Sequence, residues 1–232
     1  MALDKNDIYI VIPAYNEEKL IKQTINNLKN YGYNNIIVVD DGSYDNTYDI
    51  ISNENIICCK HLINRGLGGA LGTGLSCALL YTPKVIVTFD ADGQHDPRDI
   101  EKVALPVINE GYDVVIGSRL IDKEEVKNMP LIKRIGNWGL NLITYLMGGH
   151  FITDSQSGLR AFSYDSAKLI AKQLKSNRYE VSSEFIVLIK KNKLKYKEVP
   201  IKTIYTEYSM ARGTNVLTGF KILIKLLFQR LQ

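Results

Sequence analysis

At 232 residues, with 45% hydrophobic and 23% charged side chains and a net charge of +4, the chain has the balance of an ordinary globular protein. That length buries a sizeable core in one large domain, and the composition excludes a disordered or low-complexity polymer. The small positive charge names no partner by itself, but it is unevenly placed: from Phe185 to the end there are ten Lys or Arg against two Glu, a skew that suits an anionic partner for the tail.

The first residues, "MALDKNDIYIVIP", lack the long apolar stretch behind basic residues that a secretory signal carries. "IYIVIP" (8–13) then reads as an apolar strand, followed by a helix from about 18 to 31 and a second strand in "NIIVVDDGS" (35–43). A short helix near 45–53 leads to "NIICCK" (55–60), where Cys58 and Cys59, with Cys77 further on, offer neither a disulfide framework nor a metal-ligand spacing and are expected as reduced thiols. Next come a small-residue helix over 67–80, the strand "KVIVTFD" (84–90), a helix near 97–110 and the strand "DVVIGSR" (113–119). Apolar strands separated by helices predict a mostly parallel α/β sheet of Rossmann type covered on both faces.

After Arg119 the alternation stops. A charged loop, "IDKEEVKNMP", precedes an apolar helix over 131–147, a strand in "DSQSGLRAFS" (154–163), helices near 165–175 and 181–192, and a last strand in "YKEVPI" (196–201). No linker divides residues 1–215, which are expected as one domain. In 216–232, "VLTGFKILIKLLFQRLQ", Thr218, Lys221, Lys225, Gln229 and Gln232 form one polar stripe on an otherwise apolar helix. It is too short and too charged to span a bilayer but suited to a membrane interface; packing on the body or on a second subunit is the alternative, which leaves an oligomer open. The expected location is the cytosol or the cytosolic face of a membrane.

Ligands of such sheets bind beyond the carboxyl ends of the strands. Those ends carry Pro13 to Glu17, Asp40 to Ser43, Asp90-Ala91-Asp92 and Gly117-Ser118-Arg119, a polar rim on one edge. Two like charges one residue apart, Asp90 and Asp92, can turn toward one point, where a hard divalent cation held by oxygen ligands and phosphate is the usual occupant; Gln94 can add an amide oxygen. A bare D-x-D is common in loops, and its place after "KVIVTF" is what gives it weight. His61, His95 and His150 are scattered, which argues against zinc, although His95 can donate beside the acids. "NRGLGGALGTGL" (64–75) does not fit a dinucleotide fingerprint, because Leu71 stands where the third glycine belongs. Its small residues are expected to let a helix approach the sheet.

In order and spacing, "IVIPAYNEE", "IIVVDDGSYDNT", "VTFDADGQHDP", "VIGSR", "TDSQSGLRAF" and "EVPI" resemble the family 2 glycosyltransferases of GT-A fold, most of all dolichol-phosphate mannose synthases and related polyprenyl-phosphate glycosyltransferases. The resemblance implies that Pro13, Tyr15, Glu17, Val39 and Asp41 contact base and ribose, with Ala91 beside the nucleotide and Arg65 and Gly66 lining its pocket. It implies that Asp90 and Asp92 face the diphosphate, with Asp92 and Gln94 ligating Mg²⁺ or Mn²⁺, and that Arg119, Lys133, Arg134 and Arg212 supply the cations around the phosphates. The partners it implies are a nucleotide-sugar donor of GDP-mannose or UDP-glucose type, a polyprenyl phosphate acceptor and a membrane surface, with inversion at the anomeric carbon.

A lipid phosphate is already ionised at neutral pH, so such an enzyme needs cations more than a base. A sugar hydroxyl acceptor would need a base, for which Asp154 is the candidate. In the late R-G-x-S-K segment of the family this chain reads "RGTNV", with Asn215 and Val216 replacing serine and lysine, and that leaves phosphate binding there open. A nucleotidyltransferase is disfavoured by the acidic "IPAYNEE" after the first strand, nucleic acid by the sparse aromatic content of "KKNKLKYK", and a silent membrane scaffold by the intact acids and Arg119.

Overall fold

The structure, a computed structural model, describes residues 4–122, 126–127, 129, 131–202 and 204, without the side chains of residues 132 and 133. Seven strands, β1 (Ile8–Ala14), β2 (Ile36–Asp40), β3 (Ile57–Lys60), β4 (Val85–Thr88), β5 (Val114–Ser118), β6 (Arg160–Ser163) and β7 (Tyr196–Pro200), form one sheet in the order β3-β2-β1-β4-β6-β5-β7. All neighbours are parallel except β6, which runs antiparallel between β4 and β5. The reversal brings the start of β6 to the edge where the other strands end: Arg160 lies opposite both Thr88 and Ile116. Every turn that could touch a ligand at that edge is therefore gathered in one place.

The central strands β1, β2, β4 and β5 are largely apolar because both their faces are covered. On one face α1 (Ile21–Asn30), α2 (Thr47–Ser52) and α4 (Asp99–Glu110) pack on Ile8, Ile10, Ile12, Val85 and Val87. On the other, α3 (Leu67–Leu79), α6 (Tyr164–Gln173) and α7 (Val181–Lys191) cover Val11, Ile37, Val39, Ile86 and Val114. Gly74 explains the small-residue character of α3, since a Cβ there would overlap the Val11 side chain and crowd Val39. The first N–H groups of α3 are also taken: Gly68 and Gly69 donate to the Asn177 carbonyl at 2.9 and 3.3 Å. The helix entrance is built for packing and not for a phosphate.

α5 (Leu131–Leu146) lies outside these layers and docks on α7, where Thr144 Oγ1 donates to Ser183 Oγ at 2.7 Å. The strand expected over 154–163 is shorter than its sequence suggests. Residues 154–159 form a buried polar turn, and pairing begins only at Arg160. Among the described residues no helix is long and apolar enough to cross a membrane. The helix expected over 216–232 and Arg212 fall outside the described residues.

Candidate active site

β1 ends in Pro13 and Ala14 against Val39 and Asp40 of β2. Proline is tolerated inside this strand because β4 accompanies β1 only as far as Val11, so the missing N–H of Pro13 falls where that ladder has stopped. Beyond the strand Tyr15 is exposed, and the backbone N–H of Glu17 donates to Thr47 Oγ1 at 2.8 Å. Tyr15 and Glu17 thus stand just beyond the carboxyl end of β1. Asp40 is buried and accepts the Ser43 N–H at 3.3 Å, closing the turn at Gly42.

Three residues assigned to the nucleotide are placed differently. Val39 is fully buried and its side chain packs with Val11 and Ile37. Ala91 points its methyl into the opposite core, and its carbonyl accepts from Thr24 Oγ1 at 3.1 Å. Neither side chain can reach a ligand. Asp41 is 3% exposed and accepts from the N–H of Arg65 (2.9 Å) and of Gly66 (2.7 Å) while pairing with His61 Nδ1 at 2.7 Å. Its carboxylate orders the loop of Arg65 and Gly66, so any influence on the nucleotide passes through that loop. His61, which holds Thr73 Oγ1 at 2.9 Å by its other nitrogen, belongs to this support.

At the end of β4 the two acids are held apart by different partners. Asp90 Oδ2 pairs with His95 Nε2 at 2.9 Å, while Asp92 accepts the Gln94 N–H at 3.0 Å and Gln94 Nε2 at 2.7 Å. Their titration is pushed in opposite directions. Burial works to raise the Asp90 carboxyl, but the His95 bond and the charges of Arg119 and Arg160 outweigh it and hold it below the usual range. Asp92 is raised, by burial first and then by the charge of Asp90. Gln94 faces Asp92 through its amide nitrogen, which orients the acid and leaves the amide oxygen as the atom a metal would use. The Asp90 carboxylate also occupies the space where a Cβ of residue 158 would stand, so a larger residue at Gly158 would displace one or the other.

The turn 154–159 builds the rest of the wall. Asp154 is fully buried and accepts from Arg119 Nε at 2.7 Å, from Arg119 Nη2 at 2.8 Å and from the Arg119 N–H at 3.2 Å. Burial works to raise its carboxyl, but the charge and hydrogen bonds of Arg119 prevail and hold it low. With both oxygens bonded to Arg119, Asp154 fixes the guanidinium of Arg119 at the rim. Glu198 secures the same turn by accepting from Thr153 Oγ1 at 2.6 Å and the Thr153 N–H at 2.9 Å. Arg160, 2% exposed, lies beneath: it donates to the Ser155 carbonyl at 2.8 Å, stacks its guanidinium 4.9 Å from the Phe185 ring centre, and has no partner for Nε among the described residues. Burial lowers its pKa to about 10, against the attraction of Asp154 and Asp90.

Gly158, Arg160, His61 and Glu198 are therefore parts of the site to which the sequence alone assigned no role. Of the remaining cations, Arg134 is exposed on α5, whose Asn141 anchors the turn by donating to the Thr153 carbonyl at 2.6 Å and accepting the Ser155 N–H at 2.9 Å. Arg134 stands about 10 Å along the helix from Asn141. Lys133 sits on the same helix with its side chain outside the described residues. The last described residue, Ile204, donates its N–H to the Gln94 carbonyl at 2.9 Å.

The Arg119 and Asp154 pair carries a stability prediction. Breaking one partner of a buried pair costs about 3–5 kcal/mol, so Asp154→Asn should lower the midpoint of thermal unfolding clearly at pH 7. Because the folded carboxyl is held below its unfolded value, this stabilisation is fully present above the unfolded pKa near 3.9 and is lost as pH falls through the folded one. The gap between parent and variant should therefore begin to narrow below about pH 4. An unchanged gap at pH 3 would show that the pair contributes nothing by its charge.

A mostly parallel sheet with two acids just beyond a central strand, beside the turns that follow β1 and β2, is the arrangement of the GT-A class of sugar-transferring enzymes. The glycosyl transferase family 2 matches residues 9–171, and the chain belongs to that family. It is a glycosyltransferase. An uncharacterized protein of Methanocaldococcus jannaschii is 69% identical to it, over 99% of this chain and 94% of that one. The UDP-N-acetylglucosamine–dolichyl-phosphate N-acetylglucosaminyltransferase of Methanococcus voltae is 54% identical, over 97% of this chain and 96% of its own. Among solved structures, glucosyl-3-phosphoglycerate synthase of Mycobacterium tuberculosis in complex with Mg²⁺ and UDP superimposes with a TM-score of 0.70 at 18% identity, covering 96% of this chain and 78% of that one, which shows the shared fold.

Proposed function

We propose that this enzyme transfers N-acetylglucosamine from its UDP derivative to a polyprenyl phosphate of dolichyl type, with inversion and with Mg²⁺ or Mn²⁺. The observation that carries the reading is the commitment of Asp154 to Arg119 beside an acid pair at the end of β4. The carboxyl best placed to deprotonate a hydroxyl is spent on a cation, which suits an acceptor that arrives as a phosphate anion. The relative in Methanococcus voltae supports the sugar, the base and the lipid, since its name states all three.

The residues present fit a divalent ion. Asp92 is pushed up by burial first and then by the charge of Asp90, and a cation beside the two acids would offset both. Among the described residues no group of three His, Cys, Asp or Glu forms a closed cage. Magnesium in phosphate-transfer sites is held by one or two carboxylates plus substrate phosphates and water, so two acids and Gln94 suffice. When bound, the ion would offset the charge developing on the departing diphosphate as a Lewis acid. His95 holds the Asp90 carboxylate, Gln94 holds that of Asp92, and Arg119, locked by Asp154, presents its charge at the rim for a phosphate.

The membrane side of the proposal rests on α5 and on the basic segment 216–232. Leu131, Ile135, Trp138, Tyr145 and Leu146 are exposed and recur at helical spacing, so they form one apolar stripe facing away from α7. Arg134 stands beside one end and Lys190, 5.7 Å from the Tyr145 ring centre, beside the other. An apolar stripe edged by cations suits the interface of an anionic leaflet, where the acceptor phosphate lies. Trp138 is the single tryptophan and is 65% exposed, so it reports directly. Its emission should shift to the blue on adding vesicles with anionic lipid, and an unchanged spectrum would remove α5 from the membrane.

The enzymatic test is incubation with labelled UDP-N-acetylglucosamine, UDP-glucose or GDP-mannose, a polyprenyl phosphate and Mg²⁺. Label entering an organic-soluble product from the first donor is the expected result. Transfer only to water-soluble acceptors would overturn the acceptor, and preference for another donor would overturn the sugar.

A further inference from the structure

The end of β1 and the turn after β2 are laced together by side chains. Asn16 has a left-handed backbone with φ 55°, a conformation that asparagine adopts more readily than most residues. Its N–H donates to Ser43 Oγ at 2.9 Å, and its Oδ1 accepts the Tyr44 N–H at 2.9 Å. Glu18 Oε2 accepts from the N–H and Nδ2 of Asn46, at 3.1 and 2.9 Å, and its own N–H donates to Asp45 Oδ2 at 3.2 Å. This lacing holds two exposed rings at the carboxyl-end edge of the sheet. Tyr15 is 39% exposed and Tyr44 88% exposed, and they meet edge to face with centres 6.3 Å apart and planes at 72°.

A ring so exposed gains little by burial, so the lacing serves something other than the core. An edge-to-face neighbour restricts the rotation of an aromatic side chain, and a ring already fixed loses less freedom when a flat ligand stacks on it. We propose that Tyr44 is a positioning residue for nucleobase recognition: anchored by Asn16, its ring holds Tyr15 in the plane on which the pyrimidine of a nucleoside diphosphate stacks. The inference rests on the reading of this chain as a UDP-sugar enzyme. It assigns Tyr44 and Asn16 an effect on donor affinity and none on the acceptor.

The test is calorimetric titration of UDP, and separately of inorganic diphosphate, into the full chain with Mn²⁺. Tyr44→Ala should weaken UDP about fivefold and leave diphosphate unchanged. Because Tyr44 acts through Tyr15, the double variant with Tyr15→Ala should bind UDP no more weakly than Tyr15→Ala alone. Asn16→Ala should copy Tyr44→Ala, and Asn16→Asp, which keeps the acceptor oxygen, should restore binding. UDP binding by Tyr44→Ala equal to the parent, additive losses in the double variant, or an equal loss with diphosphate would each overturn the inference. A parent chain that binds no UDP would overturn the proposed donor and this inference together.

Discussion

Asp92→Asn is expected to lower sugar transfer by about a hundredfold or more, the size of effect seen when a group that stabilises transition-state charge is removed, while the folded chain loses no stability. The two halves of this expectation have one cause. Asp92 is raised by burial and by the charge of Asp90, so its ionised form is held in the folded chain against a penalty. A neutral amide of the same shape removes that penalty, and at neutral pH the thermal midpoint should stay level or rise. The negative charge that burdens the fold is what a cation needs at the diphosphate. A variant that is as active as the parent would show that the acid pair is structural. A variant that is inactive only because it unfolds would show that the penalty has been misplaced.

Gly158→Ala should be nearly as damaging to transfer, about a hundredfold, although a single methyl is added and no charge is touched. The new Cβ would overlap the Asp90 carboxylate, and one of the two must move. The turn is the less able to yield: Thr88 Oγ1 donates to the Gly158 carbonyl at 2.7 Å, Arg160 to the Ser155 carbonyl at 2.8 Å, and Asn141 holds Ser155 from the far side. Asp90 therefore swings out and gives up His95. Overpacking of this kind costs about 1–3 kcal/mol, so the midpoint should fall by several degrees while the chain still folds. Retention of activity in Gly158→Ala would mean that the position of Asp90 does not matter.

Much of this architecture is legible in the sequence because the sheet is covered on both faces. Runs such as "NIIVV" and "KVIVTF" have no polar alternation to confuse with a helix, and the acids that interrupt them mark the strand ends. The direction of β6 is not legible, since an antiparallel strand buried on both sides has the same apolar character as a parallel one. The expected strand over 154–163 reads too long for a related reason: Asp154, Ser155 and Ser157 are buried by their hydrogen bonds and their turn, not by strand pairing.

The candidate site divides along the same line. Asp90 and Asp92 announce themselves by standing together behind a strand. The resemblance names positions but not which way a side chain points; the side chains of Val39, on β2, and Ala91, in the turn after β4, both lie in the core. Gly158 and Arg160 do their work across the sheet, with Gly158 bonded to Thr88 70 positions away, and no local pattern connects such partners. The pairing of Arg119 with Asp154 lies in the same class.

The central claim, that the acids beyond β4 grip the donor diphosphate through a divalent cation, is tested most directly by titrating UDP into the full chain in EDTA and then in Mn²⁺. The account predicts binding at least about tenfold tighter with the metal, and loss of that gain in Asp92→Asn. Equal affinity with and without metal, in a chain that transfers sugar, would contradict it.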